Sequence, residues 1–76
     1  MIQEHDLVAL REDVPAEKLA SGDVGTVVGI YRNGEAYEVE FMTIGGETVA
    51  VTTLPARLLR PVSPNEMHQS RPLVAA

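Results

Sequence analysis

Val24-Gly25-Thr26-Val27-Val28-Gly29-Ile30-Tyr31-Arg32-Asn33-Gly34-Glu35-Ala36-Tyr37-Glu38-Val39-Glu40-Phe41 is the stretch that decides the fold. In its second half Tyr37, Val39 and Phe41 alternate with Glu38 and Glu40 at period two, the pattern of a strand buried on one face. Its first half, Val24 to Tyr31, is a β-branched run and predicts a second strand. Between them Asn33-Gly34 predicts a hairpin, because both residues tolerate the positive φ of a type I′ turn. Gly25 and Gly29 inside the first run predict a bulge, a bend or a close backbone approach. The phase of that run leaves two readings of Tyr31 open. With Val28 and Ile30 inward, Tyr31 points out beside Arg32; a bulge at Gly29 would turn it inward.

Working outward, Ile44-Gly45-Gly46-Glu47 supplies a second tight turn, and Thr48 to Thr53 returns as a strand with Val49 and Val51 on one face. Leu54 and Leu58, four apart around Pro55, predict one helical or 3₁₀ turn. Leu59-Arg60-Pro61 then reads as a short last strand, confined by Pro61 to an edge or an end. Upstream, Asp6 to Leu10 is a first strand with Val8 and Leu10 on one face. A long connection follows, in which Pro15 opens a single helical turn before Ser21-Gly22-Asp23. The strands expected are therefore 5–10, 24–31, 36–42, 48–53 and 58–61, in a domain of residues 1–62 followed by a flexible, aperiodic tail over 63–76. This all-β plan is that of a small five-stranded SH3-like barrel with a long first loop. An open antiparallel sheet that completes its core by dimerising fits the same elements.

Seventy-six residues bound the chain to one small domain, and the absence of Cys removes disulfides and thiolate metal sites as supports. Its hydrophobic fraction of 45% is sufficient for folding, so packing or a partner subunit must supply the stability. Eleven acidic residues against six basic ones give a charge of −5, which argues against a phosphate backbone as partner. The acidic start, Met1 to Asp6, does not read as a signal peptide, and no stretch has the length of a membrane span. A cytoplasmic location is the expectation.

Gly22-Asp23-Val24-Gly25-Thr26-Val27-Val28 resembles the G-D-x-G-x-V signature that opens the second strand in KOW-type and nitrile-hydratase-β-type SH3-like barrels. Together with Ala36-Tyr37-Glu38-Val39-Glu40-Phe41, Gly46 to Thr52 and Leu58-Leu59-Arg60-Pro61, it looks like DUF4926, a family of small bacterial proteins, over residues 2–64. The resemblance implies the barrel fold and brings no active site with it. By analogy it implies either packing against a partner chain or binding to RNA and ribosomal proteins; the acidic charge departs from the second. Three aromatics, Tyr31, Tyr37 and Phe41, are too few for a polyproline-binding groove.

Glu38 and Glu40 share a strand face, but alternation places them toward solvent, where nothing drives their pKa values apart for acid and base work. Adding Glu47 makes no calcium loop. His5 and His68 stand at opposite ends of the chain without metal-ligand spacing, and Ser21, Ser63 and Ser70 have no neighbouring base. No catalytic residue, metal ligand or cofactor is therefore assigned, and no enzyme activity is expected. The binding candidates are Tyr31 with Arg32, an aromatic and a cation suited to an interface, and Arg57 with Arg60, a basic pair suited to a carboxylate or phosphate. The function expected is a protein-binding or assembly module, docking a protein partner or its own copy. The alternatives are a KOW-like module for nucleic acid or ribosome, and a small-ligand or anion-binding domain. So short an acidic chain would also suit an immunity protein covering the basic site of a nuclease.

Overall fold

In the computed structural model, which describes residues 1–73, the alternating run forms β3 (Ala36–Met42) between β2 (Val24–Tyr31) and β4 (Thr48–Pro55). β1 (Leu7–Leu10) pairs with β2, and β5 (Leu59–Pro61) pairs with the far side of β1. Short 3₁₀ turns occupy Pro15–Glu17 and Ala56–Leu58. All neighbours are antiparallel, in the order β4-β3-β2-β1-β5.

That order corrects the expected SH3-like barrel. Among the described residues β4 pairs only with β3 and β5 only with β1, so the sheet remains open. The reason lies in the last strand. It has three residues, one of them Pro61 without an N–H, and its ladder is committed to β1 through Leu10↔Leu59, Ala9↔Arg60 and Val8↔Pro61. The sheet curls enough for Leu54 of β4 and Leu59 of β5 to join one core with Val8, Leu10, Leu19, Val27, Tyr37, Val39 and Phe41. Its two edges nevertheless do not meet in a ladder.

Tyr37, Val39 and Phe41 are buried as their alternation requires. The faces of β2 and β4 depart from expectation because each contains an extra residue. In β2, Val27 lies opposite Val39 and Gly29 opposite Glu38, so Val28 is the unpaired residue of a bulge. Val27 is wholly buried, Val28 and Ile30 are exposed, and the phase change puts Tyr31 on the outer face. In β4, Phe41 pairs with Ala50 and Met42 with Thr48, leaving Val49 as the extra residue. Ala50 and Leu54 are therefore buried, Val49 packs at the margin of the core, and Val51 points out with 50% of its surface exposed.

Gly25 permits the close approach of β2 to β3: a Cβ there would lie 2.6 Å from Val39 Cγ1 and 2.9 Å from both Glu40 O and Phe41 Cδ1. The hairpin forms at the expected place, but its loop is Arg32–Glu35, and Arg32 joins Asn33 and Gly34 at positive φ. Gly34 and Glu35 both donate to Tyr31 O at 3.1 Å, closing this left-handed turn. The segment from Ser63 carries no helix or strand as far as residue 73; the last three residues of the expected tail, 74–76, lie outside the described residues.

Candidate functional site

The long first loop is organised by Gly22 and Asp23. Gly22 N–H donates to Leu10 O (2.8 Å) and Leu10 N–H to Asp23 O (2.9 Å), so the turn prolongs the β1–β2 pairing. Gly22 has φ +92°, which its lack of a Cβ allows. Asp23 Oδ2 accepts from Ala20 N–H at 2.9 Å while Asp23 N–H donates to Ala20 O at 3.0 Å, tying the turn from both sides.

The same carboxylate holds the C-terminal segment. Arg71 places a two-toothed fork on it: Nε donates to Oδ1 at 2.9 Å, and Nη2 donates to Oδ2. Arg71 Nη2 also reaches Lys18 O at 3.3 Å. Gln69 Nε2 donates to Asp23 Oδ1 at 2.8 Å and to Ser21 O at 3.2 Å. The Asp23 side chain is 14% exposed. Burial acts to raise its pKa, but the hydrogen bonds from Arg71, Ala20 and Gln69 and the charge of Arg71 outweigh it and hold the carboxyl below its ordinary value. The bond to Asp23 correspondingly raises Arg71.

Beneath this segment lies an open groove of 590 Å³, walled by Leu19, Val24, Phe41, Met42, Ile44 and Val49 and bounded on its other side by residues 68–71 and Leu73. The loop Thr43–Glu47 shapes one end. Thr43 N–H donates to Glu47 O at 2.7 Å, and Gly46, at φ +94°, completes the turn.

A folded-state pKa below the ordinary aspartate value, about 3.9, means that the stabilisation from Asp23 is fully present above that pH and is lost as the pH falls through the lowered value. Asp23→Asn keeps an oxygen for Ala20 and removes the charge that Arg71 and Gln69 meet. The substitution is expected to cost about 1–2 kcal/mol near neutrality and to flatten the acid limb of stability below about pH 4. Thermal melts of both proteins over that range check it; parallel acid limbs would contradict the assignment.

The residues selected from sequence lie elsewhere. Tyr31, 44% exposed, ends β2 and donates from Oη to Glu38 Oε1 at 3.3 Å. Arg32 follows at φ +51°, exposed at the hairpin tip. Arg57 occupies the second 3₁₀ turn, next to Ala56, whose N–H donates to Glu35 O at 3.0 Å, so Arg57 stands at the same end of the sheet as Tyr31 and Arg32. Arg60 lies on β5 and donates from Nη1 to Glu66 Oε1 at 2.7 Å. The N–H of Ser63 and this guanidinium both lower the pKa of Glu66. No hydrogen bond joins any two of the four candidates among the described residues. Glu38 and Glu40 each accept from a hydroxyl, Glu40 from Thr48 Oγ1 at 2.8 Å.

Sequence reading missed the Asp23–Gln69–Arg71 constellation. Half of it had a signal, since Gly22-Asp23 opens the motif that carried the family resemblance. The other half had none, because Arg71 is 48 residues away in an aperiodic segment. Among the described residues no group of three or more His, Asp or Glu is placed to hold a metal ion, and no helix is long and apolar enough to cross a membrane.

An open five-stranded antiparallel sheet, with a C-terminal segment drawn across its first loop, defines the class: a small all-β domain. The chain belongs to DUF4926, a family described as a domain of unknown function, whose model matches residues 4–61. No curated protein and no solved structure gives a significant match.

Proposed function

We propose that the chain is a non-catalytic protein-binding or assembly module, and that its working surface is the free edge of β4. The observation that carries this reading is an eight-residue edge strand, Thr48–Pro55, without a charged residue. Edge strands are ordinarily blunted by charges, bulges or a covering segment, because their unpaired N–H and C=O groups template another strand. In β4 the bulge at Val49 and the proline at 55 protect only the two ends.

Hydrogen-bond alternation identifies the free groups. Ala56 N–H bonds to Glu35 O, so Pro55↔Ala36 is a non-hydrogen-bonded pair. Counting back, Leu54, Thr52 and Ala50 direct their backbone groups to β3, while Val51 and Thr53 direct theirs away from the sheet. Two such strands, antiparallel about a two-fold axis at Thr52, would pair Val51 with Thr53 of the second copy in both directions, with Thr52 facing Thr52 and no like charges across the seam. A second copy is therefore the occupant this edge fits most simply.

Three of the six basic side chains are already engaged within the domain, which does not favour the nucleic-acid reading. Arg60 is engaged by Glu66 and Arg71 by Asp23, while Arg11 Nε donates to Leu59 O. The non-catalytic part of the proposal is supported by Glu38 and Glu40, the only paired carboxylates on one strand among the described residues, which are occupied by the hydroxyls of Tyr31 and Thr48. A cytoplasmic setting belongs to the same reading, supported by a small fold that needs no disulfide.

Light-scattering chromatography over a concentration series tests the proposal. Wild type is expected to shift toward the dimer mass, and Val51→Lys with Thr53→Lys to remain monomeric with the melting temperature of dilute wild type, since both side chains point outward. A monomer at every concentration would remove the second copy as occupant. Equal association by the double variant would remove the β4 edge.

A further inference from the structure

The segment from Met67 to Leu73 is held to the body in an unusual way. Among the described residues its backbone makes no hydrogen bond to the rest of the domain; the last backbone bonds among them are Val62 N–H to Leu7 O and Glu66 N–H to Ser63 O. What fixes it is two side chains, Gln69 and Arg71, both seated on acceptors of the first loop. Those acceptors make a guanidinium receptor of both oxygens of Asp23 and the carbonyl of Lys18, while the carbonyl of Ser21 takes the Gln69 amide. Asp13 adds a second negative charge toward Arg71 and is itself positioned by Ser21 N–H at 2.8 Å. The receptor is built by the body's own backbone, since Ala20 N–H orients the carboxylate and Gly22 makes room. A Cβ at Gly22 would lie 2.5 Å from Gln69 Oε1. It opens onto the apolar wall of Leu19, Val24, Phe41 and Val49, which the segment crosses.

We propose that residues 67–73 are a displaceable strap occupying a binding groove in cis, and that the groove receives an extended, arginine-bearing peptide whose guanidinium takes the place of Arg71 on Asp23. Side-chain anchoring without backbone pairing makes the strap exchangeable without disturbing the sheet. The receptor's geometry sets the ligand chemistry. A planar fork matches the two carboxylate oxygens and the neighbouring carbonyl together, whereas an ammonium meets them only as a point charge. An apolar residue two positions after the arginine, as Leu73 follows Arg71, reaches the groove wall. The groove meets β4 only at Val49, near the start of the strand, and does not involve Val51 or Thr53, on which the edge pairing rests.

The test uses the full chain carrying Arg71→Ala and, as probe, a fluorescent synthetic peptide of residues 66–73. An intramolecular strap competes at an effective concentration of the order of millimolar, so the peptide is expected to bind the variant at least tenfold more tightly than wild type. Replacing the peptide's arginine by lysine is expected to weaken it severalfold, and adding Asp23→Asn to the variant to abolish binding. Amide spectra of the Arg71→Ala chain alone should shift at Leu19, Val24, Phe41 and Val49 while the core residues Val8 and Val27 stay in place. Peptide binding that ignores Asp23 or the arginine-to-lysine change would overturn the proposal, as would no binding to the Arg71→Ala chain. If the Asp23→Asn chain fails to fold, the lysine peptide and the amide shifts still decide.

Discussion

Gly25→Ala is expected to destabilise the domain by about 3 kcal/mol, the upper end of the range for overpacking a dense interior. The added methyl carbon would stand 2.6 Å from Val39 Cγ1, 2.9 Å from Phe41 Cδ1 and 2.9 Å from the carbonyl oxygen of Glu40. A side chain could yield, but the carbonyl is part of the β3 backbone between β2 and β4, so relief requires the two strands to part. The contrast is Gly29→Ala in the same strand. There the new carbon meets Glu38 Cβ at 3.4 Å, an ordinary contact, and the change should be neutral or stabilising by up to about 1 kcal/mol because it restricts the unfolded chain. Urea melts of both variants read the difference. Equal costs would mean that β2 and β3 do not approach as closely as the structure places them.

Phe41→Ala is expected to cost about 3–5 kcal/mol. A domain of this length has about 4–11 kcal/mol in all, so the loss takes from about a quarter to all of the total, and the variant should melt far below wild type. Phe41 is one of the two aromatic rings in the core, with Tyr37: it pairs with Ala50 on β4, limits the space at Gly25 and lines the groove beside Val24 and Val49. Phe41→Leu keeps most of the apolar volume and should retain a cooperative melt at lower temperature. Circular dichroism through a thermal scan distinguishes the two. A cooperative transition for Phe41→Ala near that of wild type would show that the core does not depend on this ring.

Much of this architecture was legible from turn chemistry and period. Asn33-Gly34 and Gly45-Gly46 mark both hairpin loops, and the alternation in Tyr37-Glu38-Val39-Glu40-Phe41 gives β3 its face directly. What alternation could not reveal is where it breaks. Val28 and Val49 are apolar like their neighbours, so an extra residue at either leaves the composition unchanged and inverts every inward assignment on one side of it. This is why Val27 and Ala50, rather than Val28 and Val51, are in the core.

Closure of the sheet was illegible for a different reason. It depends on a pairing between β4 and β5, and the three residues of β5 have their ladder taken by β1. Tyr31 and Arg32 were selected by chemical type, and the structure shows both exposed at the β2–β3 hairpin. Of the Asp23 receptor only Gly22-Asp23 had a signal; its ligand side chains, Gln69 and Arg71, come from a segment with no pattern.

Residue-resolved amide hydrogen exchange along β4 tests most directly the claim that the sheet is open and that this edge is free to pair. The N–H groups of Leu54, Thr52 and Ala50 should be protected, and those of Val51 and Thr53 should exchange rapidly in dilute solution and gain protection as the concentration rises. Uniform protection of all five in dilute monomer would contradict the account, because it would place another strand of the same chain against β4 and leave no edge for a partner.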